Sequence, residues 1–179
     1  MFLCSCVLEL FLCSGTIYVS LVELFVILPN ILLSSCVLEA KENTSYTTMN
    51  PNPWLVATST TFLLPATLFA YRGIWHLYYI NIAVVAFSGI YHATKLTPLF
   101  YIDVATANIL AVLHTLWAIE NGIGLVPVPG ILYSILMFWI GHQYRQFIWH
   151  PNIAYATLWH MSMHIAVISS LTTLALLTN

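Results

Sequence analysis

From residue 54 onward, the sequence is built from five long apolar runs, each about as long as a helix that crosses a membrane. A spanning helix takes roughly 20 consecutive, mostly apolar residues. Short polar or Pro/Gly-containing breaks separate the runs, which cover residues 54–71, 74–94, 98–119, 124–141 and 152–177. Short connections of this kind join antiparallel neighbours. The sequence therefore predicts an all-α fold, a polytopic transmembrane helix bundle.

The composition agrees with a membrane protein and excludes several other classes. Hydrophobic residues make up 60% of the chain and charged residues only 6%, whereas an average soluble domain has about 25% charged residues. The formal net charge of −2 offers no basic surface to a nucleic acid. We expect an integral, multi-pass membrane protein of the endomembranes (ER or Golgi) or the plasma membrane, without a nucleic-acid partner. Composition does not separate these compartments.

Residues 1–48 form a hydrophobic, locally repetitive segment that differs from the rest of the chain. The pentapeptide Ser-Cys-Val-Leu-Glu occurs twice in it, which is too little for a repeat architecture. The segment fits one more span at residues 16–38, a signal-like anchor without a basic start, or a start assigned too early, with Met49 as the true initiator. It holds all four cysteines, so a metal site elsewhere must use histidine or carboxylate ligands. We treat residues 1–48 and 54–177 as two domains and assign chemistry only to the second.

Prolines mark places where two of the predicted helices are disturbed or begin. Pro65 lies inside the first run, where its ring and its missing N–H favour a kink. Pro127 and Pro129 lie near the start of the fourth run, where a missing N–H costs least.

A serine, a histidine and an aspartate are predicted to meet at one depth of the bundle. Ser88 and His92 are four residues apart, which places them on one face of the second helix. The chain turns at residues 95–98, and Asp103 lies about five residues into the third helix, roughly 7 Å along its axis. Asp103 therefore returns to about the depth of His92. A charge at the centre of a membrane helix costs about 2.5–3.5 kcal/mol, so an aspartate in such a helix indicates a functional site.

His160 and His164 share one face of the last helix. Two complete spans separate that helix from the second, so the last helix starts on the side of the membrane where the second helix ends. His160 is about eight residues into it, roughly 12 Å from that side. The parity of the spans thus predicts that five residues converge in one half of the membrane: Ser88, His92, Asp103, His160 and His164.

The predicted convergence suits zinc chemistry. Three imidazoles with one coordination position left open form the ligand set of a catalytic zinc site. Zinc in such a site lowers the pKa of its water to about 7 and polarises a carbonyl. Asp103 is placed to take a proton from the water, and Ser88 to hydrogen-bond a developing oxyanion. The chemistry expected is zinc-dependent hydrolysis of an amide or ester, with His92, His160 and His164 as metal ligands and Asp103 and Ser88 as catalytic residues.

Each of these residues also has an ordinary explanation when it is taken alone. A His-x-x-x-His pair arises readily by chance in a chain with seven histidines. Asp103 is compatible with a neutral form or with a pair to Lys95, and Ser88 with a bond to its own helix backbone. The alternatives to an enzyme are a non-catalytic membrane receptor or scaffolding protein with a structural metal site, and a haem-binding electron carrier. His160 and His164 share a helix face and cannot clamp opposite sides of one haem, which disfavours the carrier.

The remaining histidines carry weaker predictions. His76, His142 and His150 flank helix ends and are expected at the membrane interface. His114 is in the middle of the third predicted helix, on nearly the same face as Asp103. A pore-lining role and a packing role both stay open for it.

The combination of Ser88-x-x-x-His92, Asp103 and His160-x-x-x-His164 resembles the motif set of a known superfamily of transmembrane zinc hydrolases. This is the CREST superfamily, which includes the alkaline ceramidases and the adiponectin-receptor-like proteins. The short interval between His92 and Asp103 is most similar to the alkaline ceramidase branch, and the resemblance covers about residues 54–177. It implies a ceramidase-like hydrolase of carbon–nitrogen (amide) bonds in sphingolipid metabolism. Its substrate would be a membrane lipid, ceramide or a related lipid amide or ester.

The chain departs from that family in two respects. The family has seven helices, whereas five are predicted after residue 53. Losing one hairpin between Asp103 and His160 preserves their shared depth but removes part of the wall of a lipid pocket, which a second copy in a homodimer would supply. The acidic, calcium-binding stretch at the N-terminus of ceramidases has no counterpart around residues 50–54.

Overall fold

The computed structural model describes residues 51–178, and all regular structure in this range is helical. In chain order the elements are α1 (Pro53–Thr60), α2 (Leu63–Tyr71), α3 (Trp75–Thr94), α4 (Thr97–Glu120), α5 (Val128–Tyr144), a 3-10 turn (Phe147–Trp149) and α6 (Ile153–Leu177). The all-α prediction is confirmed for these residues. The expectations for residues 1–48 and for Met49 lie outside the described range.

Three stretches of the described chain are long and apolar enough to cross a membrane. They are the joint α1–α2 stretch Pro53–Tyr71, α4 and α6. α5 is shorter, with 17 residues, and the 20 residues of α3 include the buried polar side chains of Asn81, Ser88 and His92. Helix length and composition are thus consistent with membrane association, and a full set of five spans stays a prediction.

Pro65 divides the first predicted run into two helices. A proline cannot donate to the carbonyl four residues before it, which here belongs to Thr61. The chain turns at Thr61 and Phe62 instead. The N–H of Phe62 donates to the carbonyl of Ser59 (3.3 Å), and that of Leu64 donates to the carbonyl of Thr61 (3.0 Å). α1 and α2 are therefore two helical segments joined by a two-residue turn within one apolar stretch.

The fourth helix begins later than its apolar run. The run starts at residue 124, whereas residues 124–127 form turns and bends and α5 begins at Val128. Pro127 is its N-cap residue and Pro129 lies in its first turn, where proline's fixed φ and missing N–H are tolerated. The two prolines therefore set the start of the helix, as their positions predict.

The helices pack in the order α4, α3, α1–α2, α6, α5. Both α1 and α2 pack against α3 and against α6, so the first stretch lies between these two helices. α4 packs on α3, and α5 packs on α6 together with the 3-10 turn. Between residues 51 and 178, no extensive contact joins α4 to α5. The two helices that carry the predicted histidine ligands, α3 and α6, are thus held in place chiefly through α1 and α2.

Two apolar clusters fill the interior of the helices. The first contains Phe62, Val84, Leu110, Ile168 and Leu171. The second contains Phe69, Ile74, Leu77, Ala118, Leu174 and Ala175. The second cluster uses the start of α3 and the ends of α4 and α6, whereas His92 lies near the end of α3 and His160 near the start of α6. The histidines therefore lie at one end of the helices, and the second cluster lies at the other.

Candidate metal centre

Three histidines from two helices come together at this end of the structure. His92 is on α3, and His160 and His164 are on α6. One potential ligand atom from each lies within 4.8 Å of the others. The ring of His160 is centred 4.8 Å from that of His92 and 4.9 Å from that of His164. The convergence predicted from the parity of the spans is confirmed for these three residues, which are placed to bind one metal ion.

His92 has a ring nitrogen that nothing in the described chain satisfies. The side chain is 0% exposed. Its Nδ1 lies 3.1 Å from Nζ of Lys95, whereas no group among residues 51–178 bonds its buried Nε2. A buried polar atom without a partner costs about 1–3 kcal/mol. Nε2 has a lone pair for a metal in the form in which the Lys95 amine is neutral and accepts from Nδ1–H of His92. In that form a metal ion held between the three rings would satisfy Nε2, so the residues present fit a metal.

His164 is tied to α1 by its other side. Its Nδ1 lies 3.0 Å from the hydroxyl oxygen of Thr58. The edge of the ring also packs against Phe62, with centroids 5.8 Å apart. Metal-binding histidines almost always bond a polar group through the ring nitrogen that does not ligate. Thr58 occupies that position for His164.

Asn52 fastens the start of α1 to both histidine-bearing helices. Its side-chain oxygen caps α1 by accepting from the N–H groups of Trp54 (3.1 Å) and Leu55 (3.3 Å). Its Nδ2 donates to the hydroxyl of Thr157 on α6 at 2.7 Å. Its backbone N–H donates to the carbonyl of His92 on α3 at 3.0 Å. One residue therefore links the three elements around the metal centre.

Ser88 and Asp103 lie together in a short chain of hydrogen bonds. The hydroxyls of Ser59 on α1 and Ser88 are hydrogen-bonded to each other at 3.0 Å, and Ser88 hydrogen-bonds the side chain of Asp103. Ser59 and Ser88 are 0% and 2% exposed, respectively. Asp103 is half-buried and lies outside the cluster of three ligands. The serine and the aspartate are therefore paired with each other, and their catalytic roles stay predictions.

Lys95 contacts His92 and interacts electrostatically with Asp103. It follows the last residue of α3 in a left-handed conformation (φ 56°), and its amine lies 4.9 Å from the ring centre of Tyr91. Burial lowers the pKa of the Lys95 amine below its usual value, and the charge of Asp103 opposes this effect. The electrostatic attraction between Lys95 and Asp103 is thus present beside the contact of Lys95 with His92.

The other histidines have partners of the ordinary kind. Both ring nitrogens of His114 are hydrogen-bonded within the core: Nδ1 to the carbonyl of Leu110 (2.8 Å) and Nε2 to Nδ2 of Asn81 (3.1 Å). This supports the packing role that the sequence left open. His76 packs edge-on against Trp117, and Nδ1 of His150 accepts from the N–H of Asn152 (3.0 Å).

Sequence reasoning missed the contribution of α1. Asn52, Thr58 and Ser59 reach His92, His164 and Ser88, respectively, but none of them belongs to a recognisable motif. The one available signal was the asparagine ahead of Pro53, which is typical of an N-cap. A threonine and a serine inside an apolar helix ordinarily bond their own backbone, as Thr58 and Ser59 also do.

Three imidazoles are a donor set for several transition metals. Imidazole suits zinc, copper, iron and nickel, and carboxylate-rich sets suit magnesium and calcium. Three protein ligands also leave a coordination position for water or substrate, as in catalytic zinc sites.

Comparison with protein-family models, with curated proteins and with solved structures finds no match to this chain.

Proposed function

We propose that this protein is a zinc-dependent intramembrane hydrolase that cleaves a lipid amide or ester. The observation that carries the proposal is the cluster of His92, His160 and His164, in which the buried Nε2 of His92 has no partner among residues 51–178. The resemblance of the five-residue motif to alkaline ceramidases supports the hydrolytic reaction and zinc as the metal. The long apolar helices support a substrate drawn from the membrane.

The histidines, Asp103 and Ser88 have different roles in such a hydrolysis. The three imidazoles would hold the metal and leave a position open, and a zinc ion bound there would supply Lewis-acid activation of water and of a carbonyl. Asp103 accepts a proton from the attacking water as the water oxygen bonds to the carbonyl carbon. Asp103 then gives this proton to the leaving nitrogen or oxygen, and the bond between that atom and the carbonyl carbon breaks. Ser88 orients the carboxylate of Asp103 through their hydrogen bond, a role that replaces the oxyanion contact expected from the sequence.

The substrate class follows from the resemblance together with the membrane setting. Apolar side chains are exposed on several helices, for example Ile109 (52%) on α4, Leu132 (48%) on α5 and Ile165 (55%) on α6. Such apolar surfaces pack favourably against the acyl chains of lipids. A ceramide or a related lipid amide is the first substrate to try, and lipid esters are the second.

Metal content is the first test of the proposal. Protein purified in detergent would be analysed by plasma mass spectrometry, with the wild type beside the double variant His160→Ala/His164→Ala. We expect about one zinc per chain in the wild type and none in the variant, because two of three ligands are removed. If neither protein contains metal, the hydrolase proposal should be dropped.

Hydrolysis is the second test, with zinc-loaded protein and a panel of ceramides and related lipid amides and esters. Asp103→Asn should lower the rate by about 10²–10⁴-fold, since general acid–base catalysis contributes on this scale. Its zinc content should stay close to that of the wild type, because Asp103 lies outside the ligand cluster. Unchanged activity in this variant would remove Asp103 from the mechanism.

The competing function is a non-catalytic receptor or scaffolding protein in which the metal is structural. One observation favours it: Ser88 is almost completely buried and already bonded to Ser59 and Asp103, as in a closed structural layer. This function predicts full zinc content with no hydrolysis of any lipid in the panel. It also predicts that a metal-directed hydroxamate neither binds nor protects the protein against unfolding.

A further inference from the structure

The hydroxyl of Thr58 makes two contacts that together determine where one hydrogen atom lies. Its oxygen is 3.1 Å from the carbonyl oxygen of Leu55 and 3.0 Å from Nδ1 of His164. A carbonyl oxygen can only accept, and a threonine hydroxyl has a single hydrogen to donate. Both contacts are full hydrogen bonds only when Thr58 donates to Leu55 and Nδ1–H of His164 donates to Thr58.

A proton on Nδ1 leaves the other nitrogen of the neutral ring with its lone pair free. In a neutral imidazole one nitrogen is the donor and the other the acceptor. Nε2 of His164 is therefore the atom available to a metal. The hydrogen bond and the edge contact with Phe62 restrain the same ring, so its orientation and its tautomer are set together.

We infer that Thr58 is the positioning residue of the metal centre, holding His164 as the tautomer that presents Nε2. This inference rests on the proposed metal centre and adds to it a residue outside the histidine motif. Outer partners of metal-bound histidines fix the tautomer, and their loss weakens metal affinity by about 10–100-fold.

Hydrogen bonds to both α3 and α6 hold α1, and with it Thr58, in position. Thr58 lies in the last turns of α1, and Asn52 joins the start of α1 to the backbone of His92 and to Thr157 on α6. The eight residues of α1 thus connect the ligand on α3 with a ligand on α6. A displacement of either ligand helix would be opposed by hydrogen bonds to the same short helix.

The test compares three substitutions in the full chain purified in detergent, with zinc affinity measured against a competing chelator. Thr58→Val keeps the shape of the side chain without its hydroxyl, and Thr58→Ser keeps the hydroxyl. Thr60→Val is the matched control, because Thr60 is exposed on the same helix and bonds only the carbonyl of Ala57 (2.7 Å) among its described contacts.

We expect Thr58→Val to weaken zinc binding about 10–100-fold, and both Thr58→Ser and Thr60→Val to stay within about threefold of the wild type. Wild-type affinity in Thr58→Val would overturn the inference while leaving the metal centre intact. An equal loss in Thr60→Val would also overturn it, because the effect would then follow the helix and not the hydroxyl.

A second measurement determines the tautomer of His164 directly, without any substitution of Thr58. Nitrogen NMR of metal-free wild type, labelled at histidine, reports which ring nitrogen of His164 carries the proton, and His164→Gln identifies its signals. A proton on Nδ1 is expected, and a proton on Nε2 would overturn the inference even if Thr58→Val failed to fold. If the wild type binds no zinc, the proposed function fails, and this measurement still decides the tautomer separately.

Discussion

His92 and His114 are both fully buried in helices of the same protein, but their ring nitrogens have different surroundings. His114 lies against Phe69 among the apolar residues at one end of the helices, and both its nitrogens are hydrogen-bonded. His92 lies at the other end with two more histidines beside it, and its Nε2 has no partner in the described chain. Burial alone therefore does not distinguish a structural histidine from a ligand. The decisive observation is an unsatisfied nitrogen among convergent donors.

The largest expected difference between substitutions of His92 and of His114 is in metal content. His92→Ala removes one of three ligands and should reduce bound zinc from about one per chain to nearly none. His114→Ala removes a histidine that is buried to the same extent and should leave zinc content unchanged. Plasma mass spectrometry on the two purified variants checks both. Equal zinc loss would show that the two histidines do not differ in the way described above.

The second difference is in stability. His114→Leu deprives Nδ2 of Asn81 of one acceptor, and we expect the free energy of unfolding to fall by about 0.6–2 kcal/mol, the range for hydrogen bonds between membrane helices. The double variant Asn81→Leu/His114→Leu removes both polar groups and should be less destabilised than the sum of the two single changes. Thermal or denaturant unfolding in detergent measures these values. Strict additivity would mean that the two side chains are not coupled.

A smaller difference should separate two asparagine caps. Asn52 and Asn152 each accept hydrogen bonds at the start of a helix, α1 and α6 respectively, and replacing either by alanine should cost about 0.5–2 kcal/mol. Asn52→Ala should also weaken zinc binding a few-fold, roughly 2–10-fold, because α1 loses its link to Thr157. Chelator competition on both variants is the measurement. A loss of affinity in Asn152→Ala of the same size would assign the effect to general destabilisation.

The smallest effect is expected at Ser59. Ser59→Ala removes the hydroxyl that is hydrogen-bonded to Ser88 but leaves Ser88 bonded to Asp103. Zinc affinity should change by less than about twofold, and any hydrolytic rate should fall only several-fold, as for one neutral hydrogen bond worth roughly 1 kcal/mol. Rates on zinc-loaded protein check this. A drop as large as that of Asp103→Asn would place Ser59 itself among the catalytic groups.

The sequence was sufficient to find the histidines because their positions follow from regular geometry. A spacing of four residues places His160 and His164 on one face, and the parity of the runs brings them to the level of His92. Proline chemistry likewise located the break near Pro65 and the start of α5. These inferences depend only on helix dimensions and local bonding, which the order of residues specifies.

The sequence was not sufficient for the partners that cross between helices. Thr58 and His164 are 106 positions apart, and a threonine inside a helix ordinarily bonds its own backbone. Asn81 and His114 are 33 positions apart, and nothing in either helix alone indicates the rotation that brings them together. That rotation is set by how α1 and α2 pack between α3 and α6. The detailed order of packing does not follow from one sequence's apolar pattern.

The turn at Thr61 and Phe62 has a consequence for how the protein tolerates mutation. It separates α1, which supports the metal centre, from α2, which contributes Phe69 to the apolar cluster at the far end. A continuous helix would rotate every side chain after an inserted or deleted residue by about 100°. We expect the break to confine such a change to one half of the stretch. The residues around the candidate metal centre and those that fill the distant core should then be alterable independently, although they are neighbours along the chain.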